Sequence, residues 1–182
     1  MLEGPTSVRI QELALQIRDQ RLLAQAGLNL VEHIFTRAGQ EGSEFKALVH
    51  AELTCQAVLY WLKGRCDIDT ARTEIAEQTL NRATGSEDAA QSHHWAACIR
   101  LARLLDDVEE EGLPEQMAFI ARDCRDACLS ACPRSASAWQ DEASWQIAHL
   151  EEMAIQAAAN RGVYASGARL RPSTLCTGVG GC

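Results

Sequence analysis

From Ser7 to Arg161 apolar residues recur every three to four positions, and nowhere do they alternate over the length of a strand. That regularity admits helices and argues against a sheet, because only a period near 3.6 keeps such residues on one helix face. Composition agrees. Alanine occurs 29 times and leucine 20, against 16 valines and isoleucines together, a balance that favours helix over strand. A chain of 182 residues with 47% hydrophobic content suits one domain with a sizeable core.

Punctuation divides the pattern into six helical segments. The first runs over 7–38 with Ile10, Leu13, Ile17, Ala24, Leu28, Val31 and Phe35 on its stripe, and Gly27 interrupts it where a bend is allowed. Ser43 caps the second, whose stripe is Phe45, Val49, Leu53, Ala57 and Tyr60 and whose stop is Gly64. Asp67 or Asp69 opens a short third. Ser86 opens a fourth that carries Ala90, His94, Ala97, Leu101, Leu104 and Val108. Gly112-Leu113-Pro114 is the firmest break, and a fifth helix covers 115–131. Ser137 with Gln140 reads as a capping box for the sixth. The expected fold is all-α: an up-and-down antiparallel bundle of five to six helices over 1–162, then a flexible Gly/Ser/Thr/Cys tail over 163–182.

Net charge is −8 and the pI is near 5.1, which argues against nucleic acid as a partner. The last acidic residue is Glu152, and after it the only charges are Arg161, Arg169 and Arg171. The start lacks the basic-then-apolar pattern of an export signal, and no run is long enough to span a membrane. A cytoplasmic location is therefore expected, with no membrane partner. Eight cysteines are then expected to be free, metal-bound or reactive rather than paired.

Five residues form the main candidate site: His94, Cys98, Cys124, Cys128 and Cys132. His94 and Cys98 share one helix face, and the three cysteines share another. Counting outward from Leu113 in an antiparallel hairpin puts Cys98 level with Cys128 and His94 level with Cys132. Thiols with an imidazole suit zinc or cuprous copper, or a redox role. Asp123 to Cys132 (DCRDACLSAC), with His94 to Ala102 (HWAACIRLA), resembles the cysteine-rich four-helix-bundle copper-binding proteins. The further cysteines of such bundles are missing, so their function is not carried over. Cys55 and Cys66 read as space-filling.

Catalytic signatures are absent from the sequence: no Gly-x-Ser-x-Gly, no His-Glu-x-x-His, no phosphate loop, and no acid three residues before any histidine. A non-catalytic, regulatory module that binds another protein is the first expectation. Its contact residues are Trp95, Trp139 and Trp145 with Asp106, Asp107, Glu109 and Glu110, an acidic run placed at a helix end where the dipole disfavours it. In the tail, Ser173, Thr174 and Thr177 stand beside Cys176 and Cys182. Dehydration and thiol addition there would give thioether rings, so a precursor of a modified peptide with a folded leader is a third reading.

Overall fold

The computed structural model describes residues 4–40, 42, 45–80, 88–106, 112–133 and 137–167. Among them every regular element is a helix: α1 Pro5–Ile17, α2 Gln20–Gln40, α3 Val49–Leu62, α4 Ile68–Leu80, α5 Ala89–Arg103, α6 Leu113–Ala131 and α7 Ala138–Gly167.

Seven helices replace the expected five or six because the first stripe is cut at Arg18-Asp19, not bent at Gly27. Arg18 takes a left-handed conformation (φ 55°). Asp19 then caps α2, its carboxylate accepting from the Leu22 N–H at 2.9 Å. Gly27 sits inside an unbroken α2 for a packing reason. A Cβ there would meet Leu101 Cδ1 at 2.9 Å and the Cδ1 atoms of Leu104 and Ile120 at 3.5 Å. The missing side chain lets α2 approach α5 and α6 closely.

Other boundaries also moved. α3 starts at Val49, and Phe45 to Leu48 are not helical. Its buried face is Ala51, Thr54, Ala57, Val58 and Trp61, while Val49 is 65% exposed. Gly64 (φ 67°) ends it as expected. Arg65 N–H donates to Tyr60 C=O and Gly64 N–H to Trp61 C=O, which is the Schellman pattern. Asp67 caps α4 through the Thr70 N–H at 2.7 Å. α5 is opened by Asp88 in a capping box with Gln91, two residues after the expected Ser86. It ends at Arg103, so Asp106, the first residue of the acidic run, lies beyond the helix. The last turn holds Arg100 and Arg103 instead, the charge the dipole favours.

Pro114 lies in the first turn of α6, where its missing N–H costs nothing. At the start of α7 Ser137 bonds Asp141 rather than Gln140. α7 continues to Gly167, five residues past the expected domain end. The remaining tail, together with Ser43, Ser86 and Val108, lies outside the described residues.

α6 is the central helix and packs on α1, α2, α5 and α7, whereas among the described helices α4 touches only α3 and α5. Side-chain pairs fix some directions. Asn29–His149, His33–Glu142 and Arg37–Asp141 run α2 against α7. Arg9–Glu151 and the Ile17 C=O accepting from Arg161 run α1 along α7 in the same direction. α1 and α2 therefore take opposed courses along one helix and touch each other sparsely.

Candidate functional site

The five expected ligands do not meet as one set. α5 ends before the turn that was to set the hairpin register, so α6 is shifted relative to the symmetric count. Arg100 Nε donates to Asp123 Oδ2 at 2.7 Å, and Cys98 comes level with Cys124 rather than Cys128. Cys128 instead lies toward Glu142 and Arg37, and Cys132 packs with Ala38 and Ala138. Among the described residues no three His, Cys, Asp or Glu side chains are placed to hold a metal ion.

What the fold does bring together is a thiol that sequence reasoning treated as filler. Cys55 Sγ on α3 lies 3.6 Å from Cys98 Sγ on α5, and Cys98 Sγ lies 4.0 Å from His94 Nδ1. Cys98 is sealed in the core; Cys55 is half-buried. The signal for Cys55 was available. It sits beside Thr54 at the edge of the Ala51–Val58–Trp61 face, which the Val49–Tyr60 stripe had obscured.

A cavity of about 360 Å³ opens beside this pair. Val31, Phe35 and Leu59 form its apolar walls, Glu32 and Glu52 are exposed at its mouth, and Cys55 and His94 line it. The His94 ring meets Phe35 and Phe45 edge-on, at 5.4 and 5.3 Å between centroids. Its Nε2 is buried with no hydrogen-bond partner.

Burial sets the protonation states. The imidazole of His94 is pushed down to about 4 by desolvation, so it is neutral at pH 7. The Cys98 thiol is held well above its ordinary value by burial and then by Cys55 and Cys124. Cys124 is raised by burial, then by Glu142, Cys128 and Asp123, against the opposing pull of Arg125. Cys128 is raised by burial and then by Glu142 and Cys132. These four groups are uncharged at rest, which suits a water-free interior.

A second polar assembly crosses the core between α2, α6 and α7. Buried Arg125 donates to Gln146 Oε1 at 2.7 Å, Gln146 donates to Glu142 Oε1 at 3.1 Å, and Glu142 Oε2 meets His33 Nδ1 at 2.9 Å. Trp145 is stacked on His33 (3.5 Å between centroids) and on His149 (5.2 Å). No sequence motif announced it. The visible sign was Glu142 and Gln146, four apart on an otherwise apolar face.

The expected interaction residues are dispersed. Trp95 is only 5% exposed and belongs to the core, because α5 is covered on that side. Trp145 is held in the histidine stack, and Trp139 is 37% exposed with the Arg125 guanidinium 5.0 Å from its ring. Asp106 is exposed after the end of α5. Asp107, Glu109, Glu110, Ser173, Thr174, Cys176, Thr177 and Cys182 lie outside the described residues. No helix among the described residues is long and apolar enough to cross a membrane. No protein family, curated protein or solved structure matches the chain.

Proposed function

We propose that this chain is a stoichiometric thiol-redox switch in which Cys55 and Cys98 interconvert between dithiol and disulfide. The observation that carries it is the 3.6 Å sulfur–sulfur contact between α3 and α5, with half-buried Cys55 at an open cavity and Cys98 sealed. The sulfurs must close by about 1.5 Å to reach a disulfide bond length, a motion of side-chain torsions and slight helix approach. Cross-linking would fasten α3 to α5. α4, which among the described helices packs only on those two, would be held with them, and this layer is where a protein partner would read the state. A reducing compartment such as the cytoplasm, where resting thiols stay free, fits the function. The same reading takes consecutive helices to reverse direction, as the opposed courses of α1 and α2 along α7 support.

The test uses diamide, an azo oxidant that takes up the two hydrogens lost as the sulfur–sulfur bond forms. The protein carries Cys176→Ser and Cys182→Ser to silence the two tail thiols. Peptide mapping is expected to find Cys55 joined to Cys98, and Cys55→Ser or Cys98→Ser is expected to abolish the link. A dominant bond between any other pair, or none at all, would overturn the proposal.

A further inference from the structure

We propose that the cavity beside Cys55 admits a neutral, apolar organic hydroperoxide, and that this is the oxidant that drives the switch. The inference rests on the thiol-switch reading and adds the chemical class of its trigger. Three observations select that class. The walls are hydrocarbon and aromatic (Val31, Phe35, Leu59), and the volume of about 360 Å³ is that of a small-molecule site. The mouth carries two carboxylates, Glu32 and Glu52, on a chain of net charge −8, which repel anionic oxidants such as oxidised glutathione. Finally, His94 lines the cavity and its buried Nε2 lacks a partner. The ring is neutral and stands edge-on to Phe35 and Phe45, so it adds no charge to the cavity wall.

The reaction balances in two steps. The Cys55 sulfur takes the terminal oxygen of the hydroperoxide, the oxygen–oxygen bond breaks, and the alcohol leaves with the thiol proton, giving a sulfenic acid. The Cys98 sulfur then attacks the Cys55 sulfur. The disulfide forms, and hydroxide leaves as water with the Cys98 proton. Two electrons pass from the thiols to the hydroperoxide.

The experiment measures Cys55–Cys98 cross-linking rates in reduced protein of the same tail-silenced background. Cumene hydroperoxide, hydrogen peroxide and oxidised glutathione are compared, each normalised to its rate with free cysteine. Cumene hydroperoxide is expected to exceed hydrogen peroxide by about tenfold or more, the scale on which an apolar pocket discriminates, with oxidised glutathione slowest. Phe35→Ala and Leu59→Asn are each expected to bring the cumene-to-hydrogen-peroxide ratio down toward one. No preference in the unmodified cavity, a preference for oxidised glutathione, or a ratio insensitive to both substitutions would overturn the assignment. Diamide separates the two levels. If it links Cys55 to Cys98 while cumene hydroperoxide shows no preference, only the cavity assignment fails; if it makes no such link, the switch itself fails.

Discussion

Oxidation of the Cys55–Cys98 pair should raise the thermal stability of the protein, and the size of the effect follows from the chain between them. The two residues are 43 apart in sequence, and closing a loop of that length removes denatured-state entropy worth about 4 kcal/mol at 25 °C. Torsional strain in drawing the sulfurs together subtracts from this. For a chain of this size each kcal/mol moves the midpoint by about 2–4 °C, so the expected rise is about 5–15 °C. Differential scanning calorimetry on diamide-oxidised and dithiothreitol-reduced samples reads it directly, with mass spectrometry confirming the bond and Cys55→Ser as control. An unchanged or lowered midpoint in cross-linked protein would refute the argument that both cysteines are already held near bonding position. An equal rise in Cys55→Ser would assign the effect to other thiols.

Further predictions concern the groups around the pair. Burial lowers the His94 pKa to about 4 in the folded protein, against about 6.5 unfolded. The unfolded chain therefore takes the proton first, so stability is complete above about pH 6.5 and falls by about 3 kcal/mol as the pH drops to about 4. His149, also lowered by burial, adds a slope of the same sign. Urea unfolding at several pH values should show this loss, and His94→Gln should remove most of it; an unaltered slope would count against the buried neutral imidazole. Glu142→Ala leaves Gln146 and His33 without their buried carboxylate and takes a nearby negative charge from buried Arg125, and denaturant melts should show a loss of about 3–5 kcal/mol. Asp88→Ala removes the α5 capping box and should cost about 1 kcal/mol in the same assay.

Helix period was legible in the sequence, and it located α6 and the stop at Gly64 well. What misled was register. The α1–α2 break depends on Arg18 adopting a left-handed conformation, which its residue type does not announce, whereas Gly27 announced flexibility and served close packing instead. The hairpin count from Leu113 assumed that α5 ran to Val108; its end at Arg103 moved Cys98 from Cys128 to Cys124. His94 and Cys98 were found because they share one face of one helix. Cys55 was missed because its importance lies 43 residues away on another helix, and pairing between distant helices leaves no local periodic mark. The Arg125–Gln146–Glu142–His33 assembly was hidden for the same reason: three helices contribute one or two residues each.

The most direct test of the central claim is a redox titration of the tail-silenced protein in graded dithiothreitol buffers, with acid quench and quantification of the Cys55–Cys98 cross-link. The account predicts one reversible two-electron transition, with a slope of about 30 mV per tenfold change, absent from both Cys55→Ser and Cys98→Ser. A protein whose Cys55 and Cys98 remain unlinked at every oxidising poise, or whose cross-linking persists after either substitution, would contradict it.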